Sequence, residues 1–130
     1  MPFLHTCIRV KDLDASLTFY QKALGFKEVR RNDFPDAKFT LVYLALEDDP
    51  NYELELTYNY NHDDYNLGDG YGHIAIGVDN LKESYQKHKT VGFSVTDLSG
   101  LPEHPKTYYF IQDPDGYKIE IIDLKYSNPL

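Results

Sequence analysis

The chain has 130 residues, a net charge of −8 at pH 7 and an isoelectric point near 4.9, and 42% of its residues are hydrophobic. This hydrophobic content excludes a disordered chain, and the negative charge disfavours binding to nucleic acid or to an anionic membrane surface. The length suits one compact domain, or two small modules that share a core.

A single cysteine, Cys7, allows no intrachain disulfide, which favours a reducing compartment. The stretch MPFLHTCIRV has no basic segment followed by an apolar run, so we expect no signal peptide. No apolar stretch approaches the roughly 20 residues that a membrane helix needs. We therefore expect a cytoplasmic protein with neither nucleic acid nor membrane as a partner.

The first half of the chain predicts one strand, one helix and three further strands. Alternating apolar residues predict the first strand over 3–10. Either Asp12 or Asp14 can serve as the N-cap of the helix that follows, and Gly25 is well placed to end that helix. The three strand-like runs that complete this half are 26–31, 38–46 and 52–59.

The second half repeats this order after a connector over 61–70, which is rich in Asn, Asp and Gly. A strand over 72–78 leads to a helix that begins at Asn80, with Glu83 at capping-box spacing, and ends at Gly92. The remaining strand-like runs are 93–97, 106–112 and 117–123, and a type I turn is predicted over 113–116.

The two halves also align residue by residue, which is the strongest signal in the chain. LHTCIRV aligns with GHIAIGV, which places His5 on His73, and YELELTY aligns with YKIEIID, which places Glu55 on Glu120. The pattern predicts an α+β protein of two tandem β-α-β-β-β modules whose curled mixed sheets form a cleft. The predicted boundaries are 1–60 for the first module and 71–125 for the second.

The alignment pairs two histidines with two glutamates. Each His lies on the first strand of its module and each Glu on the last, so the alternation of strand side chains can bring them together. Two imidazoles and two carboxylates suit a borderline divalent ion such as nickel, cobalt, zinc, iron or manganese, with open positions for a chelating substrate. Glu53 shares a face with Glu55, but only Glu55 repeats the spacing from the preceding tyrosine that Glu120 has. The other histidines are expected to be structural or exposed: His62, His88 and His104.

Four stretches carry a resemblance to a known family: LHTCIRVKDLDASLTFYQKALGF, ELTYNYN, YGHIAIGVDN and DPDGYKIEII. With them the chain resembles glyoxalase I (lactoylglutathione lyase) of the vicinal-oxygen-chelate superfamily along nearly its whole length. The resemblance implies a homodimer with active sites at the subunit interface. His5 and Glu55 would come from one chain, and His73 and Glu120 from the other.

The resemblance also implies a reaction. The substrate would be the hemithioacetal of methylglyoxal and glutathione, and the product S-lactoylglutathione, formed through an enediolate. Glu120 would be the catalytic base, with Glu55 as its opposite partner, while Arg9 and Asn59 would hold the γ-glutamyl end of glutathione. From the residues alone, a surface arginine and a turn asparagine are the favoured interpretation of the last two.

The resemblance favours nickel or cobalt as the metal, with zinc as the alternative. The chain lacks the additional segments of the zinc-type enzymes and has His5 where those enzymes often have Gln. It departs from its relatives over 97–110, where Lys106 is the only strong cation. The identity of the thiol co-substrate is therefore left open, with a thiol other than glutathione as an alternative.

Two other kinds of function remain as alternatives. One is a related metalloenzyme, either a thiol transferase or an extradiol dioxygenase, which typically uses two His and one Glu. The other is a metal-free protein of the same fold that sequesters a ligand.

Overall fold

The computed structural model of the chain describes residues 1–127. Contacts divide the chain into two compact units, one ending at Asn66 and the other beginning at Leu67. The division falls inside the segment 61–70, which the sequence predicts to be a connector. Within residues 1–127, no helix combines the length and the apolar character that crossing a membrane requires.

The first unit is a mixed sheet with one helix. Its elements are β1 (His5–Arg9), α1 (Leu13–Leu24), β2 (Lys27–Phe34), β3 (Phe39–Leu46) and β4 (Asp49–Asn59). The four-stranded sheet has the order β1-β4-β3-β2. The pair β1–β4 is parallel and the other neighbours are antiparallel. The first and last strands of the unit are therefore adjacent, as a β-α-β-β-β module requires.

The second unit has the same arrangement with a smaller sheet. Its elements are β5 (Ile74–Val78), α2 (Leu81–Val91), β6 (Tyr108–Gln112), β7 (Lys118–Asp123) and α3 (Leu124–Ser127). The three-stranded sheet has the order β5-β7-β6, with β5–β7 parallel and β6–β7 antiparallel. Here too the first and last strands of the module pair directly.

The two main helices begin and end at the predicted residues. Asp12, rather than Asp14, caps α1, because its Oδ1 accepts from a backbone N–H three residues on, at 3.1 Å. Asn80 caps α2 in the same way, at 3.1 Å. Gly25 and Gly92 end the helices with φ of 76° and 95°, a left-handed conformation that glycine adopts without a steric penalty.

The prediction of a regular strand over 93–97 is wrong. The segment pairs with β6 through one isolated bridge, between Val95 and Ile111, and not through a continuous ladder. Thr96 explains the irregularity: its backbone N–H donates to the Phe110 carbonyl, while its Oγ1, instead of a backbone carbonyl, accepts from the Phe110 N–H, both at 2.9 Å. A side chain that takes a backbone partner interrupts the ladder. The order of two β-α-β-β-β modules is thus confirmed, with one irregular segment in the second.

The main helices of the two units bury different side chains. In the first unit, α1 buries Ser16, Leu17, Phe19, Tyr20 and Ala23, most of which are apolar. In the second, α2 buries only Leu81 and His88. Its centre is a hydrogen-bonded group in which the Tyr109 hydroxyl lies 2.7 Å from Ser84 Oγ and 2.7 Å from His88 Nδ1. Burial raises the pKa of Tyr109 to about 12.

The turn predicted over 113–116 is confirmed, and a buried carboxylate organises it. The Gly116 N–H donates to the Asp113 carbonyl at 3.0 Å, which closes the turn. Asp113 is 5% exposed, and its Oδ1 accepts from the N–H groups of Asp115 and Tyr117, each at 2.9 Å. Because Lys118 begins β7 directly afterwards, the turn fixes where that strand starts.

Candidate active site

The first unit brings His5 and Glu55 together. Parallel pairing of β1 with β4 places Cys7 opposite Glu55. His5 lies two residues before Cys7 and therefore on the same face of the strand. His5 Nε2 and Glu55 Oε2 are 3.7 Å apart, and the Glu55 side chain is only 10% exposed.

The second unit repeats this pair with His73 and Glu120. His73 directly precedes β5, and pairing with β7 places Ala75 opposite Glu120, as Cys7 lies opposite Glu55. His73 Nε2 and Glu120 Oε1 are 3.3 Å apart. The Glu120 side chain is 19% exposed, about twice as much as that of Glu55. Both pairs therefore result from the same strand register.

Each pair suits two positions in the coordination shell of a divalent ion. Two donors bound at about 2.1 Å and at a right angle lie about 3 Å apart, so the observed separations need only slight closing. Nitrogen with carboxylate oxygen is a donor set that nickel, cobalt and zinc accept. Among residues 1–127 no group of three or more His, Cys, Asp or Glu side chains is placed to hold a metal ion. Each unit thus presents a pair of donors.

Tyr43 supports the first pair, a role that the sequence analysis missed. Its ring packs edge-on against His5, with centroids 5.6 Å apart at 76°. Its hydroxyl donates to Glu55 Oε1 at 2.8 Å, and this hydrogen bond, with burial, raises the pKa of Tyr43. One oxygen of Glu55 is therefore held by a hydroxyl while the other faces the imidazole.

Arg30 extends this support from the neighbouring strand. Its guanidinium carbon lies 3.8 Å from the centroid of the Tyr43 ring, a cation–π contact. The same guanidinium donates to Glu53 Oε2 at 2.5 Å, and this pairing raises the pKa of Arg30. In the sequence, Glu53 was the other candidate for the glutamate ligand. In the structure Glu53 pairs with Arg30, and Glu55 is the carboxylate beside His5.

Phe110 occupies the corresponding place in the second unit. Its ring packs edge-on against His73, with centroids 5.3 Å apart at 81°. It pairs with Glu120 in the sheet, as Tyr43 pairs with Glu55, but it carries no hydroxyl. Beside Phe110 lies a cavity of about 110 Å³ that Thr96 and Lys118 also line. The second pair therefore lacks the hydrogen bond that fixes the first.

Cys7 lies next to the first pair as a free thiol. Its Sγ is 3.3 Å from Thr57 Oγ1. Burial, more than any other influence, raises its pKa, and the nearby Glu55 carboxylate acts in the same direction. The sulfur is therefore held as a neutral thiol, which is a weak metal ligand and a weak nucleophile.

The two residues expected at the thiol end of the substrate lie further along the first sheet. Arg9 is the last residue of β1 and pairs with Thr57, and Asn59 is the last residue of β4. Strand alternation puts both on the face that carries His5 and Glu55. The Asn59 amide donates to the Tyr65 hydroxyl at 2.9 Å, so a residue of the segment 61–70 orients it.

The other histidines do not join either pair. His62 stacks on Tyr65, with centroids 4.1 Å apart. His88 is buried in the core of the second unit, and His104 lies in an exposed turn. Lys106 lines a cavity of about 820 Å³ beside α2 that does not include His73 or Glu120.

Comparison with known proteins identifies the family of the chain. Residues 3–121 match the model of the Glyoxalase/Bleomycin resistance protein/Dioxygenase superfamily. The chain is 44% identical over 127 residues to a lactoylglutathione lyase of Neisseria meningitidis, covering 96% of this chain and 92% of that protein. It is 45% identical over 127 residues to one from Haemophilus influenzae, covering 96% of this chain and 94% of that protein.

A solved structure gives the same result. The trypanothione-dependent glyoxalase I of Leishmania major superposes with a TM-score of 0.83 at 39% identity, covering 96% of this chain and 88% of that chain. Family, sequence and fold therefore agree along almost the whole chain. The chain belongs to the Glyoxalase/Bleomycin resistance protein/Dioxygenase superfamily and, within it, to the lactoylglutathione lyase (glyoxalase I) family.

Proposed function

We propose that the chain is a metal-dependent lactoylglutathione lyase that isomerises the hemithioacetal of methylglyoxal and glutathione to S-lactoylglutathione. The observation that carries the proposal is the duplicated His–Glu pair, His5 with Glu55 and His73 with Glu120, at matched register in the two units. A repeat that conserved only the fold would not require both pairs. The activity would detoxify methylglyoxal.

The proposed shell consists of both pairs. In a homodimer, His5 and Glu55 of one protomer would meet His73 and Glu120 of the partner subunit. Nickel or cobalt is the favoured ion, because the chain has His5 rather than Gln at the first position. The ion would supply Lewis-acid stabilisation of negative charge on two neighbouring substrate oxygens.

Glu120 is the proposed base. The reaction moves a proton between adjacent carbons, so one carboxylate must take the proton from the first carbon and return it to the second. Acid–base help of this kind is typically worth about 10²–10⁴-fold. Glu120 is supported for this role by the phenylalanine opposite it, which leaves its oxygens without a tyrosine donor from that position.

Arg9 and Asn59 are proposed to bind the γ-glutamyl end of the thiol. Both lie on the His5–Glu55 face, and a guanidinium can hold a carboxylate through two hydrogen bonds. Glutathione is the first candidate. Since the Leishmania major relative is trypanothione-dependent, a different thiol can serve within this family. The segment 97–110, with Lys106 as its only strong cation, bears on that choice.

The deciding experiment is metal removal and reconstitution. The purified protein is stripped with a chelator and restored with nickel, cobalt, zinc or iron, and thioester formation from methylglyoxal and glutathione is followed. We expect no turnover in the stripped protein and the highest rate with nickel or cobalt. Absence of turnover with every metal and with both glutathione and trypanothione would exclude the proposal. Oxygen consumption by the iron-loaded protein after addition of a catechol would favour the dioxygenase alternative. Binding of the hemithioacetal by the stripped protein without turnover would favour the sequestering alternative.

The dimer and its metal content can be measured together. Light scattering combined with metal titration should give a dimer that binds one ion per four-ligand site.

The role of Arg9 in binding the thiol is tested by substitution. Arg9→Ala should raise KM for the hemithioacetal by about tenfold or more, while Lys22→Ala on the exposed side of α1 should leave KM unchanged. Fractionation of the source cells should place the protein in the cytoplasm, as expected for a chain whose single cysteine is a free thiol.

A further inference from the structure

The two His–Glu pairs share a backbone framework that extends to the next strand. Tyr43 on β3 pairs with Glu55, and Phe110 on β6 pairs with Glu120. Each of these rings also packs edge-on against the histidine of its pair, at 5.6 Å and 5.3 Å. The two rings therefore occupy equivalent places, and a hydroxyl in the para position of either would point to the same part of its glutamate.

Only the first of these places has that hydroxyl, and further groups support it. The Tyr43 hydroxyl holds Glu55 Oε1 at 2.8 Å, and Arg30 lies over the Tyr43 ring while it pairs with Glu53. Arg30 thus fixes one face of the Tyr43 ring, and the Tyr43 hydroxyl fixes one oxygen of the Glu55 carboxylate.

Within residues 1–127, the second place has neither the hydroxyl nor the arginine that supports the first. The residue opposite Phe110 is Thr96, whereas the residue opposite Tyr43 is Arg30. The residue two positions before Glu120 is Lys118, whereas the residue two positions before Glu55 is Glu53. The space beside Phe110 is a cavity of about 110 Å³. Glu120 is also more exposed than Glu55, 19% against 10% for the side chain. Within the second unit, no hydroxyl stands at the place from which Tyr43 holds Glu55, so the carboxylate of Glu120 is not fixed from that side.

We propose that Tyr43 is a positioning residue that fixes Glu55 as a permanent metal ligand, and that Phe110, by lacking the hydroxyl, leaves Glu120 free to act as the moving carboxylate. The inference rests on the proposed function, since it assigns different tasks to two ligands of the same site. A hydrogen bond to a ligating carboxylate orients its lone pairs, and loss of such a partner typically lowers metal affinity or activity by about 10–100-fold.

The test exchanges the hydroxyl between the two places. Tyr43→Phe should lower the affinity for nickel, measured by competition with a chromogenic chelator, by about tenfold or more. Phe110→Tyr should leave nickel affinity equal to or higher than that of the wild type and lower kcat by about tenfold or more, because the new hydroxyl holds Glu120. Nickel affinity is measured without turnover. The affinity measurements therefore test the role of Tyr43 even if the wild type is inactive towards methylglyoxal.

Two controls separate positioning from general damage. Tyr109→Phe removes a buried hydroxyl from the core of the second unit and should leave nickel affinity unchanged. In a Glu55→Gln background, Tyr43→Phe should cost much less affinity than in the wild type, because the hydroxyl acts through the carboxylate. Melting temperatures of the metal-free proteins show whether each variant is folded.

The outcomes that would overturn the inference are specific. Nickel affinity of Tyr43→Phe within twofold of the wild type would exclude a positioning role for Tyr43. An equal loss of affinity in Tyr109→Phe would show that the effect is not specific to the site. An unchanged kcat in Phe110→Tyr would exclude the need for a mobile Glu120. Failure of the proposed function would be seen separately, as absence of turnover in the metal-loaded wild type.

Discussion

Each unit buries one large tyrosine almost completely, but different elements supply it. In the first unit it is Tyr20 on α1, at 1% exposure, and the aligned strand position holds Val42. In the second it is Tyr109 on β6, at 0% exposure, and the aligned helix position holds His88. A large and a smaller side chain have thus exchanged places between helix and strand.

This difference shows that two copies of one fold share the volume of the core more strictly than its polarity. Total volume in a core is constrained because close packing tolerates neither voids nor overlap. Polarity is less constrained if every buried polar atom finds a partner, as Ser84, His88 and Tyr109 do. Tyr43 and Phe110 differ in the same way at the candidate site, where one oxygen atom distinguishes two otherwise equivalent rings.

The largest expected effect comes from the two glutamates. Glu120→Gln should lower kcat by about 10²–10⁴-fold and retain most of the metal affinity, because an amide oxygen can still ligate but cannot take a proton. Glu55→Gln should lower metal affinity more than Glu120→Gln does. Steady-state kinetics and chelator competition on both variants measure the difference. Identical profiles for the two would remove the distinction between the units.

The next effect concerns the sheets beneath the pairs. Leu56 on β4 and Ile121 on β7 occupy aligned positions and are both 0% exposed. Leu56→Ala and Ile121→Ala should each lower the free energy of unfolding by about 2–5 kcal/mol, through lost burial and the cavity left behind. Urea titration of the metal-free protein measures both. A loss below about 1 kcal/mol in one variant would show that the sheet of that unit is packed less tightly.

Tyr109→Phe tests the polar core of the second unit. The change removes the hydroxyl that both Ser84 and His88 contact, and it should lower the free energy of unfolding by about 1–3 kcal/mol. The same urea titration applies. No loss of stability would mean that Ser84 and His88 satisfy each other or bind water once the hydroxyl is gone.

The last expected effect is a loss of stability at high pH. The pKa of Tyr109 and that of Tyr71, both in the second unit, are raised to about 12, chiefly by burial. Because the folded state holds these protons more tightly, their contribution is complete below pH about 10 and is lost as the pH rises towards 12. Thermal melts between pH 9 and 12 should show the loss, and Tyr109→Phe should show less of it. A melting temperature independent of pH over this range would contradict the expectation.

Much of the candidate site could be predicted because it depends on strand alternation and on a repeat. His5, His73, Glu55 and Glu120 lie at the same points of two aligned segments, and alternation alone puts each His on the face of its Glu. The helix ends were predictable for the same local reason, since caps and left-handed glycines act over a few residues.

The supporting residues could not be predicted from those signals. Which side chain of β3 faces Glu55, and which of β2 faces Tyr43, depends on the antiparallel register, and that register shifts between Glu28 and Arg30. Aligning FTLVY with KTYYF would have put Tyr43 on Phe110, which is the signal that was overlooked. The irregular segment 93–97 escaped because Thr96 uses its side chain in the ladder, and strand propensity does not report that use.

The turn closed by Asp113 has a consequence for what insertions and deletions the chain can accept. Side chains alternate along β7, and the buried carboxylate of Asp113 ties down the backbone N–H of Tyr117, three residues before Glu120. One residue added or removed between them would turn Ile119 or Ile121 towards the site and Glu120 into the core. The spacing from Asp113 to Glu120 is therefore as strict a requirement as the glutamate itself.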